Sequence, residues 1–393
     1  MNVKMNIEAL NKAITTLKLL FDNDAVQEDQ KNIIFWNSSN GFKVVARNGI
    51  VDCICGIDAE VEAETDEMVN IKYKELDNTL NAYKSLSMTK ATDIKFSFTE
   101  RTIEVTVFEE PIDSEYEFAD KLYRSTLYKL SLVKSVADSV KKEILSVSLD
   151  TNGVSISGDD VLKYFNALIP TVKDIKTEGV ATRYNSVGNY VYTTPQQFVA
   201  IMKNDVMDFS DFILTKATAE FVKAFFNSES TTNVFITDIG SGAKMIRLTN
   251  SSACALIKAQ TTDKAFSIDA YKTIPKDGVA VDKKYFCDVL RRMNSAESIK
   301  ISISDEEITL TQARTTGTVP VLTSRVHEGL DNIKFSTSVG VLNNLVFSHF
   351  MAGDRLFIYF QNMNNKWDLT FTDDSQAIDG THLWWTRVAF KKN

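Results

Sequence analysis

The sequence contains few of the residues that build metal sites and disulfides, and it has no long apolar run. Among its 393 residues there are three histidines and four cysteines. The absence of a run of about 18 apolar residues excludes a membrane-spanning helix. The N-terminus lacks the apolar core and small-residue cleavage site of a signal peptide. We therefore expect a cytoplasmic protein.

The cysteines and histidines show no metal-ligand spacing. Cys53 and Cys55 lie in an apolar, strand-like run, where a period of two puts both side chains on one face. A zinc site would need two more ligands close by, and none follows at a suitable spacing. We interpret the cysteines as buried, reduced thiols, and we expect neither a metal nor a cofactor.

Two further patterns resemble catalytic motifs but are better interpreted as turns. Residues 240–244 contain glycines and a lysine, yet strand-like residues flank them, so a hairpin is predicted instead of a phosphate-binding loop. The acid pairs Asp159-Asp160 and Asp373-Asp374 each adjoin predicted strands and are interpreted as solvated turn acids. No catalytic residue is predicted, and a metal-dependent nuclease is kept only as a third alternative.

Helical periodicity recurs six times, and strand-like runs with hairpin turns such as Asn48-Gly49 follow the helices. The helix starts are spaced by about one sixth of the chain length on average. One helix and one meander cannot bury their apolar faces alone, so the units are expected to pair. The predicted helices are 6–22, 74–86, 129–142, 216–227, 283–295 and 337–349.

The predicted fold is α+β, with three similar domains that each contain two helix-plus-antiparallel-meander units. Their predicted limits are residues 1–121, 122–261 and 262–393. The longest spacing between helices falls in the second domain. Residues 170–210 are therefore interpreted as an insertion, with a short extra helix at 195–202.

The distribution of charge bears on nucleic-acid binding. The net charge of −8 argues against a generally basic surface, but only charges within about 8 Å of phosphates matter at physiological salt. Lys and Arg outnumber Asp and Glu in the predicted helices, while the rest of the chain is acidic. The competing interpretation is that any solvated helix face can carry lysines. The sixth helix, which has no Lys or Arg, also argues against a uniformly basic set of helices. The candidate phosphate contacts are Lys12, Lys74, Lys84, Lys134, Lys141, Lys142, Lys216, Lys223, Lys284, Arg291 and Arg292.

A resemblance to a known family rests on residues in the first and last thirds of the chain. The segments 7–10, 42–50 and 69–76, and the run from Tyr271 to Arg292, occur in a characteristic order and spacing. In the order and the spacing of these segments, the sequence resembles the bacterial-type DNA sliding clamp, the beta subunit of DNA polymerase III. The resemblance covers nearly the whole chain except 170–210.

This resemblance implies a DNA clamp fold with three domains that closes into a ring as a head-to-tail homodimer. It implies a processivity factor that encircles duplex DNA without reading its sequence, tethers a DNA polymerase and is opened by a clamp-loader ATPase. No membrane partner is implied. The residues leave open a monomeric, non-enclosing DNA-binding processivity factor as the alternative. The expected location is the bacterial cytoplasm, or the host cytoplasm if the chain is phage-encoded.

The expected peptide site departs from the family pattern. Family members bind short peptides of their partners between the second and third domains. Here residues 157–163 lack the family's Gly-His-Arg, and 384–390 replace a tail of the Met-Pro-Met-Arg-Leu type, a divergence that would suit a phage-encoded member. Alternate residues at the C-terminus could form a core strand, and Val388 to Phe390 are expected to emerge past it. The predicted pocket residues are Leu162, Val388, Ala389 and Phe390.

Overall fold

The computed structural model consists of helices and antiparallel strands in a repeated order. It forms two compact units, one of residues 1–158, 224–239 and 244–259, the other of residues 159–223, 240–243 and 260–393. The residues described are 1–18, 20–21, 31–84, 89–99, 102–113, 115, 124–131, 136–145, 153–169, 172, 179–185, 188–193, 199–203, 212–227, 231–260, 276–295, 297–325, 333–346, 354–372 and 384–391.

Three times the described chain runs through strand, helix and three strands, and then through strand, helix and three strands again. The first copy also contains the short strand β5. It comprises β1 (Asn2–Asn6), α1 (Ile7–Lys18), β2 (Asn32–Ser38), β3 (Gly41–Arg47), β4 (Val51–Ile57), β5 (Ala59–Glu62), β6 (Glu67–Lys72), α2 (Tyr73–Asn81), β7 (Thr89–Phe98), β8 (Thr102–Pro111) and β9 (Arg124–Ser131).

One helix, α3 (Asp138–Leu145), then precedes the second copy. The second copy comprises β10 (Val154–Ser157), α4 (Gly158–Leu168), β11 (Gly179–Asn185), β12 (Gly188–Thr193), β13 (Val199–Lys203), β14 (Phe212–Thr215), α5 (Lys216–Asn227), β15 (Thr231–Gly240), β16 (Ala243–Thr249) and β17 (Ala253–Gln260).

The third copy follows the same order. It comprises β18 (Gly278–Asp282), α6 (Lys283–Arg291), β19 (Ser298–Ile303), β20 (Glu307–Gln312), β21 (Thr315–Arg325), β22 (Ile333–Ser338), α7 (Val339–Val346), β23 (Arg355–Met363), β24 (Lys366–Thr372) and β25 (Trp384–Lys391).

The strand pairing repeats together with the order of elements. The strand before the first helix pairs with the first strand after the second helix: β1 with β7, β10 with β15, and β18 with β23. The strand after the first helix pairs with the strand before the second: β2 with β6, β11 with β14, and β19 with β22. These repeats support three similar domains, whose limits near 121 and 261 stay a prediction.

In the first unit, α1 packs between two runs of antiparallel strands. One run has the order β5-β1-β7-β8-β9, and the other has the order β6-β2-β3-β4-β17. Alternate residues of β2, such as Ile33 and Phe35, are fully buried on the side of α1. The ring of Phe35 meets that of Phe96 edge-to-face, with centroids 4.9 Å apart, and so joins the two runs.

In the second unit, the described strands form one continuous antiparallel run. Its order is β22-β19-β20-β21-β18-β23-β24-β25-β13-β12-β11-β14, and each neighbour is joined by backbone hydrogen bonds. Helix α6 packs on β18, β21 and α7. Phe335 of β22 stacks on Phe390 of β25, with centroids 4.7 Å apart.

Five of the six predicted helices are confirmed, with shifted ends, as α1, α2, α5, α6 and α7. The third prediction, 129–142, is wrong at its start, because residues 129–131 belong to β9, which pairs along its whole length with β8. The helix there, α3, begins only at Asp138.

The second copy contains the other differences from the sequence analysis. Helix α4 was missed, and the acid pair Asp159-Asp160 lies in its first turn instead of in a loop, where carboxylates stabilise the helix dipole. The predicted helix at 195–202 is wrong, because Val199–Lys203 is a strand. Within 170–210, the described residues form β11, β12 and β13, the usual three strands of the repeat.

Two turn predictions are confirmed. The segment 240–244 joins β15 to β16 as a hairpin, with positive φ at Gly240 (82°), Ser241 (54°) and Gly242 (68°). Gly49 takes a φ of 86° in the turn between β3 and β4. The pair Asp373-Asp374 lies outside the described residues. No helix within the described part of the chain has the length and apolar character to span a bilayer.

Candidate nucleic-acid interface

Helix α1 presents one predicted basic residue to solvent. The Oδ1 atom of Asn6 accepts hydrogen bonds from the backbone N–H groups of Glu8 (2.9 Å) and Ala9 (3.1 Å), which fixes the start of the helix. Ile7, Leu10, Ile14 and Leu17 are buried. Lys12 projects from the opposite side and is exposed, as predicted.

Helix α2 lies beside α1 in the same unit and carries two more exposed lysines. Leu76 and Leu80 are buried. Lys74 is exposed in the first turn, and Lys84 is exposed just beyond the end of the helix. Lys12, Lys74 and Lys84 are therefore accessible cations of the first copy.

Helix α6 is the most basic helix of the repeat. The Asp282 carboxylate accepts a hydrogen bond from the Tyr285 N–H (2.7 Å) and caps the helix. Phe286, Val289 and Leu290 are buried, while Lys284, Arg291 and Arg292 are exposed. Arg291 pairs with Asp288 (2.9 Å), but an exposed pair one turn apart is weak and leaves the cation accessible.

Helix α5 contributes less positive charge to its surface than predicted. Lys216 is half-buried, and its Nζ donates a hydrogen bond to the carbonyl oxygen of Val172 (2.9 Å). Because its ammonium already binds the Val172 carbonyl, Lys216 is less available to contact a phosphate. Lys223, two turns further on, is also half-buried.

The lysines of α3 lie on a different side of the sheet. Helix α3 packs against Ile34 and Trp36 of β2, whose side chains alternate with those of Ile33 and Phe35 on the α1 side. Lys141 and Lys142 are therefore not on the face that carries Lys12 and Lys74. Lys134 lies outside the described residues.

With the observed boundaries, the six helices of the repeat are only slightly basic. They contain nine Lys and Arg residues against seven Asp and Glu residues. Because the whole chain has 44 basic and 52 acidic residues, the helices are still less acidic than the remainder. The segregation of charge is weaker than the sequence analysis predicted.

The repeat forms two sheet junctions within the chain. Strand β4 pairs antiparallel with β17, from Val51 opposite Ile257 to Cys55 opposite Ala253. Strand β13 pairs in the same way with β25. In each junction, the third strand after the first helix of one copy meets the last strand of the next copy.

Two strand edges lack such a partner among the described residues. The first part of β21, residues 315–320, pairs only with β20, and β9 pairs only with β8. Leu127 on the β9 edge is 57% exposed, and Leu322, two residues beyond the open part of β21, is 52% exposed. Leu322 lines a groove with Tyr285 and Pro320. Strand β9 was not predicted from the sequence, because residues 129–131 were assigned to a helix.

The predicted peptide pocket has a different geometry from the one expected. Val388 and Phe390 do not emerge past the final strand but lie within it, opposite Leu369 and Trp367. They are only 4% and 7% exposed. Leu162 on α4 is half-buried. Ala389 lies between the two buried residues in β25 and pairs with Asp368.

The thiols are buried and free, as predicted. A hydrogen bond with Cys55 and burial both raise the pKa of Cys53, and burial raises the pKa of Cys254 and of Cys287. A thiol with a raised pKa is a weak nucleophile. No group of three or more side chains suited to a metal ion occurs in the residues that the structure describes, and the three histidines lie outside them.

Comparison with solved structures identifies the architecture. The chain is similar to the beta subunit of DNA polymerase III from Thermotoga maritima, with a TM-score of 0.73 and 11% identity over 100% of this chain and 99% of that chain. It is similar to the Pseudomonas aeruginosa subunit, with a TM-score of 0.73 and 12% identity. It is also similar to the Caulobacter crescentus protein, with a TM-score of 0.73 and 13% identity. Both of these matches cover 100% of each chain.

No protein-family model and no curated protein matches the sequence. The structural matches extend over the whole chain, so the α+β fold expected from the sequence, that of the DNA polymerase III beta clamp, is confirmed.

Proposed function

We propose that the chain is a DNA sliding clamp, a non-catalytic processivity factor. Separate chains would join head to tail around duplex DNA. The observation that carries this proposal is the repeated sheet junction. Strands β4 and β13 each pair with the last strand of the following copy. The same element in the third copy, β21, and the last strand of the first copy, β9, have open edges in the described residues.

Two different open edges on one chain suit a head-to-tail contact. When β21 of one chain pairs with β9 of another, the third junction of the repeat forms between chains. Unpaired strand edges readily take up another strand, because their N–H and C=O groups need partners. The exposed Leu127 and Leu322 would be covered in the same contact. Two chains supply six copies of the domain, and their two junctions would close the ring.

In this ring the helices of the repeat face the DNA. The candidate phosphate contacts are Lys12, Lys74, Lys84, Lys284, Arg291 and Arg292, which are all exposed. Contacts with the phosphate backbone carry no sequence information, so they allow the protein to slide. Of the remaining predicted contacts, Lys223 is the weaker candidate because it is half-buried, and Lys216 is held by Val172.

A polymerase and a clamp-loader ATPase are the expected protein partners, in a bacterial cytoplasm or in the host cell of a phage. The proposed peptide site consists of Leu162, Val388, Ala389 and Phe390. Because Val388 and Phe390 are buried within β25, they would form the floor of such a site. A partner peptide would then contact the half-buried Leu162 above this floor.

Sedimentation of the full chain tests the ring. We expect the mass of two chains, and we expect a chain that ends at Ala259 to be monomeric because it lacks β21. Dimerisation of this shortened chain would show a contact that does not involve β21, which contradicts the head-to-tail ring. A monomeric full chain that still binds DNA would instead favour the non-enclosing processivity factor.

Topology provides the second test. Once loaded by its cognate loader, a ring stays on closed circular DNA and slides off when the circle is cut. A protein that only grips one face of DNA leaves both forms at the same rate. Equal dissociation from circular and linear DNA would therefore contradict encirclement.

A further inference from the structure

Helix α3 is an addition to the repeated order of elements. Every other described helix directly follows a strand of the repeat, whereas α3 lies between the first and second copies. Three apolar residues spaced by four face the sheet of the first copy: Val136, two residues before the helix, and Val140 and Ile144 within it. They pack on the side of the sheet that faces away from α1.

The sheet surface beneath α3 is unusually apolar. Alternation along the strands puts five apolar side chains on this surface, and all five are nearly buried in the presence of α3. They are Ile34, Trp36, Val45, Ile54 and Met68, and together they are named the outer face.

The third copy shows that the fold does not require this apolar surface. Lys72, just before α2, pairs with Asn32, and Ser338, just before α7, pairs with Ser298, so the two sheets can be matched residue by residue. The pairings of β3 and β20 keep the same match. The residues at the positions of the outer face are Lys300, Ser302, Thr311, Thr316 and Lys334, which are all polar and at least partly exposed.

Positive charge borders the outer face. Arg47 donates hydrogen bonds to Asp52 (2.8 and 3.0 Å) and to Glu143 of α3. Lys43 lies over the Trp36 ring, with its Nζ 5.0 Å from the centroid. The guanidinium of Arg47 lowers the pKa of Glu143, so this carboxylate stays charged when α3 is docked. The surface is therefore complementary to a helix that has one apolar stripe and an adjacent acid.

Helix α3 is short and only partly covered. It has eight residues, fewer than the 12–15 or so that an isolated helix needs to be even marginally stable in water, so docking must maintain it. Glu143 and Leu145 are 61% and 47% exposed, respectively. Among the described residues, the contact includes three apolar side chains and the Arg47–Glu143 ion pair. Local opening can break a contact of this kind without unfolding the sheet.

We propose that the outer face is a docking site for an acidic amphipathic helix, that the chain fills it with its own α3, and that a partner helix of the same pattern exchanges with α3. The pattern is three apolar residues at spacings of four and a carboxylate one residue before the last of them, opposite Arg47. This proposal does not depend on ring closure or on DNA binding.

Peptide binding to the full chain tests the exchange. The substitutions Val140→Asp and Ile144→Asp together put charges on the docking stripe and should release α3. A fluorescein-labelled peptide of residues 134–147 should then bind this variant with micromolar affinity, as measured by fluorescence anisotropy. Wild-type protein should bind at least about 100-fold more weakly, because tethered α3 competes at an effective concentration on the order of millimolar.

Matched controls separate docking from added charge. Lys142→Asp introduces an acid on the exposed side of α3 and should leave the weak binding of wild type unchanged. A peptide that carries Ile144→Asp should not bind the released chain, and Arg47→Glu in that chain should weaken binding of the unmodified peptide. No binding to a double variant that keeps the cooperative unfolding of the wild-type sheet would overturn the proposal.

Hydrogen exchange on the wild-type chain gives a second measurement, in case the double variant does not fold. Amides of α3 should exchange much faster than those of β2. Millimolar peptide should accelerate α3 exchange further, because peptide bound to the outer face keeps α3 undocked. Exchange of α3 as slow as that of β2, unaffected by peptide, would show that α3 is a permanent part of the fold and would also overturn the proposal.

Discussion

The closed junction between β13 and β25 and the open edges of β9 and β21 contain equivalent elements of the same repeat. In the closed junction, backbone hydrogen bonds join β13 to residues 384–387 of β25, and further along β25 Phe390 is buried against Phe335. Leu127 on the open edge of β9 and Leu322 next to the open edge of β21 are more than half exposed. The described chain therefore forms this junction twice, and in the proposed ring a second chain would supply the third.

Damage to the core that β25 covers, beside the closed junction, should have the largest effect on stability. We expect Phe390→Ala to lower the free energy of unfolding by about 3–5 kcal/mol, because a buried aromatic ring is removed and a cavity remains. Chemical denaturation measures this change. Met363→Ala, at a position that is 49% exposed, should change stability by less than about 0.5 kcal/mol.

The same result bears on the C-terminus. Removal of residues 388–393 would delete Phe390 and part of the pairing with β24, so the shortened chain should be strongly destabilised. Loss of polymerase binding by that shortened chain would not locate the peptide site. Substitution of the half-buried Leu162 by Asp is the more specific test, and unchanged polymerase binding would argue against the proposed pocket.

Damage to an open edge should alter assembly but not folding. Leu127→Asp puts a carboxylate where β21 of a second chain is proposed to pack, and should cost about 2 kcal/mol, or roughly 30-fold in the dissociation constant of the dimer. Analytical ultracentrifugation measures this shift. Leu145→Asp is a control with similar exposure on α3, which packs on the other sheet of the first unit. Equal dimer affinity in the two variants would remove β9 from the interface.

The six helices that belong to the repeat should contribute to DNA binding, whereas the added helix α3 should not. Charge reversal of Lys284 and Arg291 to Glu should weaken retention on DNA and reduce the slope of log affinity against log salt by about 2. Charge reversal of Lys142 on α3 should leave both quantities unchanged. An equal loss from Lys142→Glu would mean that the DNA-contacting surface is assigned to the wrong side of the sheet.

The smallest effect concerns the attachment of β9. Glu75 of α2 accepts a hydrogen bond from the Ser131 N–H (2.7 Å). Burial alone would raise its pKa, but the bonds with Ser131 and the charge of Lys72 leave the pKa below its ordinary value. The folded state therefore gains stability from ionised Glu75 above the pKa of the unfolded chain, and this gain is lost as the pH falls through the lower, folded pKa.

Glu75→Gln should consequently cost a few tenths of a kcal/mol at neutral pH, as expected for a partly exposed group. Denaturation at a series of pH values should show the difference from wild type disappearing in acid. A difference that persists well below the folded pKa would show that the side-chain shape, and not its charge, holds β9.

The sequence reveals the fold class better than the exact elements. Helix α6 is predicted correctly because its apolar stripe, Asp282 cap and flanking charges all agree. Residues 129–131 were misassigned because β9 is an edge strand, whose pairing with β8 depends on residues distant in the sequence. Such tertiary pairing overrides the local pattern.

Helix α4 could have been predicted from the sequence. Val161, Tyr164, Phe165 and Leu168 have helical spacing, and the acids at 159 and 160 suit a first turn. In contrast, the burial of Lys216 depends on the distant carbonyl of Val172, and the location of α3 depends on the folded sheet. Neither can be derived from the local sequence.

The junctions also bear on how far such a sequence can drift. They are joined by backbone N–H and C=O groups, which every residue except proline supplies in full. Most side chains at β4, β13, β17 and β25 can therefore change in evolution without removing the bonds that connect neighbouring copies. A connection that is largely indifferent to residue identity explains how an architecture can persist at 11–13% identity, where nearly every position has been replaced.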